Sequence, residues 1–246
     1  MSVLISTTLT EALDALAAEP TSMVLAGGTD AMVEVNSGHR RPLAIIAVGR
    51  IPELRTWSHD PASATLRIGA AVTYAELETE PFLRWVPALS QAARTVGSPQ
   101  IRHAATLGGN VATCSPAGDG LPVLAALDAI VHVVSSSDSR SIAFSEFMTG
   151  PKRTALLPGE LIEAVSVPVF SRWQGYAKVG VRNAMVISNA GACLAVDDAG
   201  GVRLALGSVG PTIIRCTDAE SFAATVVDQH TRSVSDIDAT EFGRLA

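Results

Sequence analysis

The chain has 246 residues, 48% hydrophobic and 17% charged, with a formal net charge of −6, enough apolar content for one large globular unit or two modest ones. An acidic balance whose densest basic run is His39-Arg40-Arg41 argues against a nucleic-acid binder. Three cysteines, Cys114, Cys193 and Cys216, with no paired spacing, argue against a zinc site, an iron–sulfur cluster within this chain or a disulfide-built secreted fold.

In chain order, Thr8 and Glu11 have capping-box spacing and predict a helix to about residue 17. Residues 23–26 read as a short buried strand that runs into Gly27-Gly28-Thr29-Asp30, and 43–48 as another strand. Residues 65–70 alternate like a half-buried strand. Thr73 and Glu76 repeat the capping-box spacing for a helix ended by Pro81. A helix over 87–96 has proline in its first turn, where a missing N–H costs nothing, and Gly97 closes it. The stretch Thr106-Leu-Gly-Gly-Asn-Val-Ala-Thr-Cys-Ser-Pro-Ala-Gly-Asp119 reads as a loop of small residues. Beyond it come a helical turn or two over 121–127, with Asp119 placed to cap it, a strand over 129–134, a short element over 144–150 and an alternating strand over 159–168.

A composition change at residues 170–174 reads as a linker. Strands follow over 175–181, 185–196 and 202–209, the last two joined at Asp197-Asp198-Ala199-Gly200-Gly201, where glycine supplies positive φ. Thr217 to Glu220 is predicted to cap a helix through 227, completing a small α+β unit. No apolar run is long enough to span a bilayer, and the N-terminus lacks a basic leader, so the cytoplasm is the default expectation.

The two Gly-Gly stretches match neither G-x-G-x-x-G nor G-x-x-x-x-G-K-[ST]. Both set glycines beside small hydroxyl or amide residues, and neither contains lysine. Successive backbone N–H groups in turns form a concavity for anionic oxygen, and glycine permits close backbone approach. Thr29, Thr106 and Thr113 add hydroxyl donors, while Asp119 can only accept and so suits a ribose hydroxyl or a ring N–H. Read from the loops alone, a non-redox module that binds a nucleotide or similar anion is one reading.

Taken in order, Ala26 to Asp30, Arg50-Ile-Pro-Glu-Leu54, Ile68-Gly-Ala70 with Thr73, Val96-Gly-Ser-Pro-Gln-Ile-Arg102, the stretch 106–119, Gly150-Pro-Lys-Arg-Thr154, Pro158-Gly-Glu-Leu-Ile162, Tyr176-Ala-Lys-Val-Gly180, Arg182-Asn-Ala-Met-Val-Ile-Ser188 and Leu206-Gly-Ser-Val-Gly-Pro-Thr212 resemble the FAD-binding subunit of the molybdenum hydroxylases. That family includes xanthine dehydrogenase and aerobic carbon monoxide dehydrogenase. The resemblance implies an α+β fold: a PCMH-type, vanillyl-alcohol-oxidase-like FAD-binding domain over 1–170, followed by a small C-terminal domain over 172–246 that looks short at its end. It implies that Leu25, Ala26, Gly27, Gly28, Thr29 and Asp30 hold one side of the FAD pyrophosphate, and Thr106, Gly109, Asn110, Ala112 and Thr113 the other. Asp119 then contacts the flavin or its ribityl end. Val96, Gly97, Leu161 or Ile162, and Lys178 lie beside the isoalloxazine ring, where the lysine would favour the negative charge that reduction places there. Read from the residues alone, the bland alternative for Lys178 is a solvated lysine on an edge strand, and Arg182 and Asn183 are either surface groups or an inter-domain clasp.

By the same resemblance, electrons come from a large molybdopterin-cofactor subunit through 2Fe–2S clusters in a small subunit, the whole arranged as a dimer of heterotrimers, and leave FAD for an external acceptor.

Overall fold

The computed structural model describes residues 2–227 and 235–246. The chain opens with β1 (Ser2–Ile5), α1 (Leu9–Ala18), β2 (Met23–Leu25), α2 (Ala31–Asn36) and β3 (Ala44–Ala47), the strands forming a parallel sheet in the order β1-β3-β2. Thr8 caps α1 by accepting from the Glu11 amide, and the Glu11 carboxylate returns to the Thr7 amide at 2.8 Å. Ala12, Leu13 and Leu16 face Ile46 and Val48 in a small core.

A tight turn (Pro52–Arg55) leads to β4 (Trp57–Asp60) and β5 (Thr65–Gly69). A run of short helices follows: α3 (Tyr74–Leu77), α4 (Phe82–Trp85), α5 (Pro87–Thr95), α6 (Pro99–Ala104), α7 (Leu107–Thr113) and α8 (Gly120–Ala126). Then come β6 (Ile130–Val134), β7 (Ser139–Ala143), α9 (Phe144–Phe147), the ribbon β8 (Met148–Gly150) with β9 (Arg153–Thr154), and β10 (Leu161–Pro168). The antiparallel sheet β4-β5-β10-β6-β7 lays Leu66, Ile68, Val131, Val133, Val165 and Val167 onto the helices, the main apolar core. Burial of this kind contributes roughly 25 cal/mol per Å² of apolar surface.

The last part holds β11 (Gln174–Val179), β12 (Ala190–Val196), β13 (Val202–Gly207), β14 (Ile214–Arg215), α10 (Thr217–Val226) and α11 (Asp236–Leu245), with an antiparallel sheet in that strand order. Cys193, Ala195 and Ala205 of this sheet belong to the main core, because α8 packs on β12 and β13 and α5 on β11. The α+β class is as expected. The hairpin reading also holds: the Asp197–Gly201 turn has Gly200 at φ 91°.

Several local expectations need correction. The stretch 106–119 is not a loop over its first half but the helix α7. Asp119 occupies the N-cap position of α8 without making a side-chain cap bond, because its carboxylate is drawn elsewhere. Thr217 lies inside α10 behind Cys216, and Glu220 does not close a capping box: its carboxylate takes the Leu204 amide and the Arg215 guanidinium. The chain also ends in a helix, α11, capped by Ser235, that the sequence reading did not anticipate.

Candidate functional site

The two glycine stretches are neighbours in space. A Cβ on Gly27 would lie 1.7 Å from the Ala104 carbonyl oxygen, so only glycine lets the first loop rest on the backbone that leads into Thr106. Leu25 ends β2, Gly28 has φ 71°, and Asp30 stands exposed at the head of α2 with no side-chain cap bond. Among the described residues, the amides of Gly27, Gly28 and Thr29 donate to no protein acceptor. Three successive free donors are what a concave anion site requires.

The second stretch behaves differently. Its first amides are used internally: Leu107 N–H donates to Val72 O at 3.0 Å, Gly108 N–H to Ala70 O at 2.8 Å, and Gly109 N–H to the Thr106 hydroxyl oxygen at 3.1 Å. The expectation of a second backbone nest is therefore corrected. What this segment offers is side chains, chiefly Asn110 and Thr113, and a bare surface at Gly109. The two glycines have separate reasons. A Cβ on Gly108 would press 2.5 Å from Ala70 Cβ, whereas one on Gly109 meets only Thr106 Oγ1, at 3.0 Å, and otherwise open space. Ala112 is exposed and Thr113 half-buried on the last turn of α7.

Asp119 and Lys178 are brought together. Lys178 Nζ donates to Asp119 Oδ2 at 2.7 Å and to the Thr95 carbonyl at 3.2 Å, and the Tyr176 hydroxyl donates to Asp119 Oδ1 at 3.0 Å. The lysine and aspartate side chains are 9% and 6% exposed, so Lys178 is not the solvated lysine that an edge strand such as β11 would ordinarily carry. Gly191 sits opposite Lys178 because a Cβ there would lie 2.8 Å from the Tyr176 hydroxyl. Burial, then the Asp119 charge, pushes the Tyr176 phenol up and keeps it protonated. Sequence reasoning gave Tyr176 no role; the Tyr176-x-Lys178 spacing, which puts both side chains on one strand face, was the available signal.

Val96 and Gly97 follow directly on Thr95, so the end of α5 lies beside this cluster. Leu161 and Ile162 are buried, 3% and 6% exposed, and pack into the small and the main core respectively. Arg182 donates to the Ala184 and Met185 carbonyls of its own hairpin, and it and Asn183 are exposed, which settles them as surface groups.

Residues 1–170 match the family described as the FAD binding domain in molybdopterin dehydrogenase. The chain belongs to that family. It is 36% identical over 185 residues to the nicotinate dehydrogenase FAD-subunit of Eubacterium barkeri, covering 72% of this chain and 62% of that one. It is 34% identical over 227 residues to the xanthine dehydrogenase FAD-binding subunit of Escherichia coli O157:H7, covering 88% and 76%. The fold is that of quinoline 2-oxidoreductase from Pseudomonas putida 86, with a TM-score of 0.89 at 24% identity over 100% of this chain and 85% of that one. Carbon monoxide dehydrogenase from Hydrogenophaga pseudoflava gives 0.84 at 24% identity, covering 100% and 94%.

The residues of this FAD domain suit a dinucleotide. The free amides of the first loop match anionic oxygen, the open face of Gly109 leaves room for close approach, and a buried ion pair, Asp119 with Lys178, is held at the head of α8. Among the described residues, no group of three or more His, Cys, Asp and Glu could hold a metal ion, and no helix is long and apolar enough to cross a membrane. The three cysteines are buried and free, and burial pushes the Cys114 thiol up to about 12.

Proposed function

We propose that this chain is the flavoprotein subunit of a molybdenum-dependent dehydrogenase, in which a small iron–sulfur subunit delivers electrons and an external acceptor removes them. The observation that carries this reading is the FAD-domain match over residues 1–170, in which Gly27 of the first glycine stretch rests on the Ala104 carbonyl, two residues before the second stretch begins. We place the boundary between the FAD-binding domain and the C-terminal domain near residue 170, where β10 ends and the separate sheet begins at Gln174.

FAD, when bound, supplies the two-electron centre of the relay; the protein binds, orients and tunes it. In this assignment Leu25 to Asp30 form the pyrophosphate side of the site through the amides of 27–29. Thr106, Gly109, Asn110, Ala112 and Thr113 form the opposite wall. Asp119 and Lys178, with Val96, Gly97 and Leu161 or Ile162, form the end that faces the flavin ring. Lys178 there brings a cation held in place by Asp119 and Thr95, which is electrostatic support fixed in advance of the charge it meets.

Molybdenum and iron–sulfur chemistry then belong to separate polypeptides, a large and a small one, assembled with this chain as a dimer of heterotrimers in the cytoplasm. The test is co-expression of this chain with an iron–sulfur and a molybdenum subunit of this family. Size-exclusion chromatography should give one yellow complex whose flavin bleaches when substrate is added and recovers with acceptor. A chain that elutes alone, and whose flavin substrate still reduces, would overturn the relay in favour of a self-contained oxidoreductase.

A further inference from the structure

Tyr74 is fully buried at the start of α3, outside every residue assigned above to the cofactor. It is tied to the second glycine stretch by backbone. Its amide donates to Ala105 O at 3.0 Å, Leu107 N–H donates to Val72 O, and Thr73 pairs with Thr106 as an isolated bridge. The Thr73–Glu76 capping box fixes the start of the helix it stands on.

The Tyr74 hydroxyl donates to Asn110 Oδ1 at 2.8 Å. Both atoms lie in a slot closed by glycine. A Cβ on Gly120 would come within 2.6 Å of the hydroxyl and 3.3 Å of Asn110 Oδ1, and one on Gly118 within 3.0 Å of Asn110 Nδ2. Burial, then the Asp119 charge, raises the pKa of this phenol, so it stays protonated and its hydrogen needs an acceptor. Asn110 Oδ1 is the acceptor it has among the described residues. Turning the amide over would set an NH₂ against the hydroxyl and leave the buried O–H hydrogen without a partner. The orientation of the amide is thus set by Tyr74. Asn110 Nδ2, on a half-buried residue, has no protein acceptor among the described residues. With the first amides of α7 committed internally, this NH₂ is a donor that the second stretch can offer.

We propose that Tyr74 is a positioning residue for FAD: it holds the Asn110 amide so that its NH₂, and not its carbonyl, faces an oxygen of the dinucleotide. The inference rests on the assignment of Asn110 to the FAD site.

The test is a double-mutant cycle read in FAD affinity. The apoprotein of the full chain is titrated with FAD, following flavin fluorescence, for the wild type, Tyr74→Phe, Asn110→Asp and the double variant. Asn110→Asp keeps an acceptor for Tyr74, which protects the fold, and removes the NH₂. Circular dichroism of each apoprotein checks folding, and Asn110→Ser replaces Asn110→Asp if that variant fails it. Tyr74→Phe should weaken FAD binding by about tenfold in the Asn110 background and by less than about twofold when the NH₂ is already gone, since coupled residues are non-additive. An equal loss in both backgrounds, the mark of a merely structural role, overturns the proposal, as does unchanged affinity in Tyr74→Phe. Unchanged affinity in the Asn110 variant instead removes Asn110 from the site, and so defeats the assignment on which the inference rests.

Discussion

Lys178 and Asp119 form an ion pair 2.7 Å long, with both side chains more than nine-tenths buried, that joins the edge strand β11 to the head of α8. Fifty-nine residues separate the partners in the chain. Two oxygens of the carboxylate are used, one by the ammonium and one by Tyr176, and the ammonium also holds the Thr95 carbonyl. The pair therefore fixes the ends of α5, α8 and β11 at one point.

Removing one member should leave an uncompensated buried charge. Lys178→Met is expected to lower stability by roughly 3 kcal/mol, in the range for breaking a buried pair. Adding Asp119→Asn to it should recover part of that loss, because no carboxylate then remains to be neutralised. Urea unfolding of the apoproteins measures both. Equal stability of the wild type and Lys178→Met would mean that the pair is open to solvent.

The glycines should separate by what surrounds them. Gly27→Ala and Gly108→Ala place a methyl against the Ala104 oxygen and against Ala70, and should destabilise the fold itself. A Cβ at Gly109 meets one neighbour, the Thr106 hydroxyl at 3.0 Å, which can give by a few tenths of an ångström, so Gly109→Val should fold, with an unchanged far-ultraviolet spectrum, yet retain FAD poorly. A folded Gly109→Val with full FAD content would remove α7 from the cofactor wall.

The Arg140–Glu160 pair gives a pH signature. Arg140 donates to both Glu160 oxygens, at 2.8 and 2.9 Å, and the Leu157 amide donates at 2.7 Å. These bonds, the arginine first, hold the Glu160 carboxyl below its ordinary 4.5. A depressed native pKa contributes stability that is present above the unfolded value and lost as pH falls through the native one. The stability difference between wild type and Glu160→Gln should thus be level above about pH 5.5 and shrink as pH falls below 4.5. A difference that grows toward acid would contradict the assignment.

Long periodic elements were legible in the sequence. The helix over Leu9–Ala18, the helix over Pro87–Thr95 with proline at its start, and the alternating strand Leu161–Pro168 all stand where apolar spacing puts them. Elements held by context were not. Helix α7 carries adjacent glycines, poor helix formers, and exists because Thr106 caps it and Gly108 fits against Ala70. Strand β4 has the sequence Trp-Ser-His-Asp and is defined by pairing with β5 rather than by pattern. Glu220 looked like a capping acid until Arg215, five residues away, claimed it. For the site, the glycine stretches were visible as composition, but the packing of Gly27 on the Ala104 backbone that leads into Thr106 depends on a close approach that no spacing rule encodes. The Tyr74–Asn110 and Lys178–Asp119 contacts join residues distant in the chain, where sequence periodicity is silent.

The central claim is that these two glycine stretches hold FAD without a covalent bond. The most direct measurement is the flavin content of the purified chain before and after acid precipitation. The account predicts a yellow protein that releases all its colour into the supernatant, where the flavin is identified as FAD. A colourless chain that takes up no added FAD, or colour that stays in the pellet, would contradict it.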